Sequence, residues 1–541
     1  MLLSSLKVKG GNTPTSPYAS LPATVPLALL LLFYAIRKYI AYRQIVRTIN
    51  DWPGFRTLLH NRQLFFPFPV RGISPGFRWL YHSKYADFAR AGWDIVAAVN
   101  VFPRPELTLY VADPAIAKEI MGARARFPKP LEVYESLSAF GTNILVTEGA
   151  EWKRQRKVAA PAFSERNNEL VWNETFRIVD EMFQTVWRDK DVVEINHVID
   201  LTDPIGMMVI GVASFGRRMS WNEDNAAPAG YSLTFKNALQ EVSKRLIFTI
   251  LFPKWLLRLG TGIPGTGMRF YARAYDDLRK YLEEMVKERR ESTKNQERHD
   301  LLSNLLDANE GALESDAKLT DDALLGNIFI FLVAGYETTS HTLAYAFILL
   351  ALYQEEQEKF YQSLRAAMPT DGAPAYEELS SFSYALAVFN ETLRHLPPAA
   401  EIPKCSADDT VFMVTNAVGE KRSLAVPRGT YVAICPTGLH NNPRYWDDPE
   451  AFKPARFLGD YPRDAFLPFS GGPRGCIGRG FSETEATAVL TAIVSKYKVE
   501  VREEACFAGE TFEQRKARLL KSQHSTTIYP ERAPLVFRRR K

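Results

Sequence analysis

Cysteine is scarce in this 541-residue chain: Cys405, Cys435, Cys476 and Cys506 are the only four, and no two form a C-x-x-C pair. That spacing indicates neither a disulfide framework nor a zinc site, and it suits reduced thiols in a cytosol-facing domain. A large excess of one charge is also lacking. The net charge is +5, no stripe of Arg and Lys alternates with aromatics, and no nucleic-acid partner is expected. No G-x-G-x-x-G opens a βαβ unit, so the chain has no flavin or nicotinamide domain of its own. Repeats and long low-complexity tracts are absent too, and 46% hydrophobic with 24% charged residues is ordinary globular composition.

One further lack is local. From Gly10 to Ile36 there is no charged residue, and the apolar stretch LPATVPLALLLLFYAI (21–36) ends abruptly at Arg37 and Lys38. A membrane span needs roughly 20 residues. Arg37, Lys38, Arg43 and Arg47 outnumber Lys7 and Lys9, which places the C-terminal flank in the cytoplasm. The expectation is a retained single-pass anchor in residues 1–40, followed by one catalytic domain in 41–541. The alternative is a hairpin-bound or interfacial helix, which Pro22 and Pro26 favour.

After the anchor, helical periodicity dominates from Trp152 to about Met368 and returns after Phe481, whereas strand-like runs are short: 107–113, 430–436 and 533–539. The expected fold is mostly α with small β-sheets. Residues 319–354 predict a helix of about 30 residues, with Thr320 as N-cap and Asp321 and Asp322 in the first turn. Its middle is apolar on nearly every face apart from YETTSHT. A second membrane span is the competing reading, against which Glu337 and His341 at its centre weigh heavily. The stretch 246–260, LIFTILFPKWLLRLG, reads equally as a membrane-touching segment or as core.

Four pieces of sequence carry chemistry. Glu391 and Arg394 are spaced i,i+3 on an apolar helix, and a buried pair of that kind needs a third partner, for which Arg456 is the candidate. Trp152 and Arg156 are spaced i,i+4, which suits a carboxylate lying against an apolar surface, although a basic helix face would look the same. In AGYETT (334–339), Gly335 and Thr338 should loosen the helix beside Glu337, placing an acid and an alcohol at a cavity. The loop FSGGPRGCIGRG (469–480) puts Cys476 just before a helix, where the dipole favours thiolate, with Arg474 two residues away. A thiolate for a metal and arginines for carboxylates suit one ligand in particular, haem.

On these residues the chain resembles the cytochrome P450 family of haem-thiolate monooxygenases, of the eukaryotic microsomal kind and close in texture to fungal members. The cysteine-loop pattern F-x-x-G-x-R-x-C-x-G falls on Phe469, Gly472, Arg474, Cys476 and Gly478. The helix pattern [AG]-G-x-[DE]-T falls on Ala334, Gly335, Glu337 and Thr338, and E-x-x-R on Glu391 and Arg394. The proline-rich hinge that usually follows the anchor is reduced to DWPGF and FPFPV.

The resemblance implies haem b held by Cys476, whose electron donation favours O–O cleavage, with Phe469 and the loop amides shielding the sulfur. It implies propionate contacts from Trp152, Arg156, Arg474 and His440, a structural lock of Glu391, Arg394 and Arg456, and proton delivery by Glu337 and Thr338. Lys404 stands near another position that is often basic in the family. Partners implied are an NADPH-cytochrome P450 reductase, cytochrome b5, the endoplasmic reticulum membrane and a lipophilic substrate such as a terpenoid, another natural-product precursor or a xenobiotic. Competing functions are a haem-thiolate isomerase or dehydratase acting on a peroxide without reductase, a non-enzymatic haem sensor, and a membrane-anchored cysteine hydrolase.

Overall fold

The computed structural model describes residues 24–60, 70–76, 78–221, 226–246, 267–292, 300–310, 318–369, 372–524 and 526–541. Most of the 246–260 stretch, residues 293–299 and the part of the expected anchor before residue 24 lie outside the described residues.

Helices form the bulk of the molecule, and four small sheets border them. The largest sheet runs in the order Gly54–Leu59, Ile95–Phe102, Glu106–Val111, Tyr431–Ile434, Ile402–Cys405. Leu109 pairs with Val432 in parallel register, and Lys404 lies opposite Val432 from the antiparallel edge strand. All three strand-like runs are strands, over Glu106–Val111, Tyr431–Ile434 and Leu535–Arg539. Several others escaped the sequence pattern because they are very short or, like Ile95–Phe102, buried along most of their length and so lack alternation.

The helix Asp321–Leu352 is the axis of the fold. Its 32 residues span about 48 Å. Thr320 caps it, its Oγ1 accepting from the Ala323 N–H at 3.2 Å. The helix is long and apolar enough to cross a membrane, yet 78% of its most apolar window is buried inside the protein. It therefore buries its apolar surface against neighbouring helices. Ile199–Phe215, Ser383–His395 and Arg479–Lys496 pack on it, all contributing to the main hydrophobic core.

Close approach fixes two glycines on this axis. A Cβ at Gly326 would lie 2.2 Å from the Thr142 carbonyl oxygen, so the loop 141–144 can rest directly on the helix. A Cβ at Gly335 would lie 2.5 Å from Ile210 Cδ1, which occupies the place of the missing side chain. The helix stays continuous through AGYETT.

The helix Thr24–Thr48 has two characters. Leu27, Leu30 and Phe33 are exposed, whereas Val46 near its end and Ile49 and Trp52 beyond it are buried against the large sheet.

Candidate active site

The cysteine loop is shaped by its glycines. The Cys476 N–H donates to the Phe469 carbonyl at 2.9 Å, closing a tight turn. Gly472 has φ +63°, and a Cβ there would come within 2.7 Å of the Met121 carbonyl oxygen, so no other residue fits without movement. Gly478 is the N-cap of the helix Arg479–Lys496. The sulfur thus stands two residues before that helix.

The exposed face of Cys476 lines a cavity of about 390 Å³, while the protein packed around the residue bears on its acidity. Burial pushes the Cys476 thiol up, and the Gly478 N–H together with the charges of Arg156 and Arg479 only partly opposes it. Burial thus works against the helix terminus, and a directly bound cation such as a metal ion would favour the thiolate here.

The same cavity is lined by Phe331, Ala334, Gly335, Thr338 and Thr342 of the central helix. These positions follow i, i+3, i+4, i+7, i+11 and form one face. Thr338 Oγ1 donates back to the Ala334 carbonyl at 2.9 Å. Glu337 faces elsewhere. Its Oε1 accepts from the N–H and the hydroxyl of Thr527, each at 3.4 Å, and it does not line the cavity. The expected acid–alcohol pair is therefore split between two faces of the helix, as 100° per residue requires.

Cationic groups cluster at one end. Arg474 lines the cavity, donates to the Ile144 carbonyl at 3.1 Å, pairs with Glu148 at 2.6 Å and lies 4.2 Å above the Trp152 ring. Its Nε is buried with no hydrogen-bond partner among the described residues. Lys129 and Lys404 line the same cavity. Burial, with the nearby charges of Arg474 and Lys404, pulls Lys129 down to about 7. Burial lowers Lys404 as well. Three cations held against desolvation favour an anionic ligand, since its charge offsets the cost of keeping theirs buried.

Three of the expected contacts are placed differently. Trp152 and Arg156 stand behind the loop: Arg156 donates to the Gly475 carbonyl at 3.3 Å, and Trp152 carries Arg474 on its ring. His440 accepts from the Leu467 N–H at 2.9 Å through Nε2, and its ring packs on Phe466. None of the three lines the cavity, so they shape the wall that other residues present.

The buried lock has the expected members. Arg394 Nε and Nη2 donate to Glu391 Oε2 and Oε1 at 2.7 and 2.9 Å, and Arg456 Nε reaches Glu391 Oε1 at 3.3 Å. Arg394 also donates to the carbonyls of His440 at 2.8 Å and Pro449 at 2.9 Å, tying the helix Ser383–His395 to the segment that leads into the cysteine loop. Burial pushes the Glu391 carboxyl up, but Arg394 and His395 outweigh it and hold it at about 2.

A family model described as cytochrome P450 matches residues 66–522. The chain belongs to the cytochrome P450 family. Cytochrome P450 monooxygenase 124 of Postia placenta is 52% identical over 511 residues, covering 94% of this chain and 98% of the relative. Cytochrome P450 monooxygenase ORF6 of Penicillium roqueforti is 29% identical, covering 73% of this chain and 74% of the relative. The crystal structure of the cytochrome P450DA heme domain superposes with a TM-score of 0.70 at 20% identity, covering 90% of this chain and 99% of that one. The enzyme is a cytochrome P450 monooxygenase.

A haem with a cysteine thiolate ligand is the group this family implies, and the P450 cavity fits it. Cys476 would supply the sulfur, Arg474, Lys129 and Lys404 would supply cations for carboxylates, and the wall between is largely apolar. Lys129 begins KPLEVYESLSAFG (129–141), a stretch that reads as pocket wall, but no short motif marks its ammonium as a cation for the site.

Proposed function

We propose that this P450 inserts one oxygen atom from O2 into a lipophilic substrate, with electrons from an NADPH-cytochrome P450 reductase and cytochrome b5 as an accessory donor. Haem b, when bound, supplies the oxygen-activating chemistry. The observation that carries the reading is that Cys476 and Thr338 line one cavity. Cys476 would hold the iron through its sulfur, and Arg474, Lys129 and Lys404 would orient the carboxylates. Thr338 presents a hydroxyl from the apolar helix face and holds a proton at the cavity, while Phe331 and Ala334 exclude water around an apolar substrate.

Phe331, Phe389 and Ile402 give the cavity its lipophilic character. A relative from Streptomyces melanosporofaciens, 28% identical, is named cyclooctat-9-en-7-ol 5-monooxygenase, and a substrate of that apolar kind suits this cavity. Secondary metabolism or xenobiotic oxidation is the matching setting. The outward Leu27, Leu30 and Phe33 support an endoplasmic reticulum anchor with the catalytic domain in the cytosol.

The test is the carbon-monoxide difference spectrum of the reduced protein, followed by a spin-state screen of lipophilic ligands and NADPH-dependent turnover. A thiolate-type red-shifted band with NADPH-dependent product is expected. Turnover on a hydroperoxide alone, without NADPH, would point to the isomerase reading, and a missing band would exclude haem-thiolate function.

A further inference from the structure

Glu337 belongs to a buried polar cluster on the side of the central helix away from the cavity face. Glu337 and His341 are spaced i,i+4 and share that face. His341 Nδ1 lies 2.6 Å from Thr527 Oγ1, and His341 Nε2 lies 3.7 Å from Asp203 Oδ1. Thr527 is the junction. Its hydroxyl contacts His341, donates to Glu337 at 3.4 Å, and borders the active-site cavity.

Asp203 forms the outer end. Its Oδ1 has no hydrogen-bond partner among the described residues, although the residue is only 9% exposed. The exposed Asp200 and Lys244 act electrostatically on it, so the cluster runs from the protein surface to the cavity wall.

We propose that Asp203, His341 and Thr527 form a proton-supply arm for Glu337 during oxygen activation. This rests on the monooxygenase reading. In the charged arm Asp203 carries the proton, His341 Nδ1–H donates to Thr527 Oγ1, and the Thr527 hydroxyl donates to the Glu337 carboxylate. One concerted transfer breaks the Asp203 O–H, His341 Nδ1–H and Thr527 O–H bonds and forms His341 Nε2–H, Thr527 O–H and Glu337 O–H bonds. Asp203 is left as carboxylate and Glu337 as acid, so charge and protons balance. One proton from solvent resets the arm: it binds His341 Nδ1 while Nε2 gives its proton to the Asp203 carboxylate, so both groups regain their first forms. The 3.7 Å gap between Asp203 and His341 exceeds a hydrogen bond, and the transfer needs a turn of the Asp203 carboxylate that brings an oxygen within reach of Nε2.

The electrostatics agree with this geometry. Burial and the neighbouring Glu337 raise Asp203 to about 7, so it carries a proton near neutral pH. Burial lowers His341 to about 3, so the ring relays as neutral imidazole. Other charged or titratable groups acting on the cluster are Lys236 and Lys244 from the helix Phe235–Lys244, Asp200 and His197 beside Asp203, and Tyr336 and Tyr529. Thr527, His341 and Asp203 act through Glu337 and are positioning residues in this scheme.

The test uses full-length haem-loaded protein and the variants T527V, T527S, H341L and D203N, each first checked for a normal reduced carbon-monoxide band. Infrared difference spectra across neutral pH should show a carboxylic-acid band that fades as pH rises through about 7, is missing in D203N, and moves in H341L. With NADPH and purified reductase and no added substrate, NADPH oxidation in T527V and H341L should fall roughly 10-fold, less than the ~100-fold or more for a direct proton donor. T527S should restore it. The wild-type rate should decline above neutral pH, as Asp203 loses its proton, and the D203N rate should be low and flat. Unchanged NADPH oxidation in T527V and H341L, or an Asp203 carboxyl that is ionised throughout, would overturn the arm. With a normal carbon-monoxide band those results leave the monooxygenase reading standing, whereas a wild type without the band removes both.

Discussion

Removing Arg394 is the most severe single change that the structure identifies away from the cavity. Arg394 and Glu391 have no exposed side-chain surface, so Arg394→Ala takes the bidentate partner from a buried carboxylate that keeps Arg456 and the Lys453 N–H, at a cost of about 3–5 kcal/mol. It also takes a donor from the carbonyls of His440, Pro449 and Ala451, which adds roughly 1 kcal/mol or more for those left unsatisfied. The expected loss is ~5 kcal/mol, a third or more of the stability of a typical protein. With an unfolding entropy of roughly 2 cal/mol/K per residue, a 541-residue cooperative unit loses about 1 °C for each kcal/mol, so the midpoint should drop by ~5 °C. Because Arg394 ties down the segment before the cysteine loop, haem retention should fall with it. The assay is paired thermal denaturation and haem-to-protein ratio, with Glu391→Leu/Arg394→Met as the control. That double variant removes the stranded charge and should recover part of the loss. A midpoint within ~1 °C of wild type and full haem content for Arg394→Ala would refute the reasoning.

Cys476→Ala should abolish the thiolate-type carbon-monoxide band, while Cys405→Ala, Cys435→Ala and Cys506→Ala keep it; loss of the band in any of those three contradicts the ligand assignment. Acid should destabilise the protein from below about pH 6.5. Burial lowers His395 to about 4 and His341 and His440 to about 3, so falling pH protonates them first in the unfolded chain. At pH 5 each costs about 2 kcal/mol of stability, the raised Asp203 carboxyl returns roughly 2 kcal/mol of the total by taking up its proton, and the loss levels off below the folded values. Glu391 adds a further loss between 4.5 and about 2. Denaturant titrations that show equal stability at pH 7 and pH 5 would contradict this. Gly326→Ala should destabilise by several kcal/mol because its Cβ meets backbone at 2.2 Å, whereas Gly335→Ala should cost less, since the tip of Ile210 can turn away. Equal melting points for the two variants would count against that ranking.

Much of the site was legible because its parts are local. The cysteine loop needs glycine at φ +63° beside Met121, and the E-x-x-R pair needs only one helical turn to meet, so both leave marks within about ten residues. Lys129 and Thr527 belong to no short motif, and Lys404 showed only as standing near a position that is often basic in the family. They come from a loop, an edge strand and a turn far apart in sequence, and only folding brings them to one cavity.

The order of motifs alone determined the family, the thiolate ligand and a buried axis too polar at its centre for lipid. Which face each residue takes was decided by the tertiary structure. Helical rotation turns Thr338 to the cavity and Glu337 to Thr527, and packing seats Trp152, Arg156 and His440 behind the wall they were expected to form. Burial sets the acidity of Cys476 against the helix dipole, because desolvation depends on everything packed around the sulfur and not on the residues beside it in the chain.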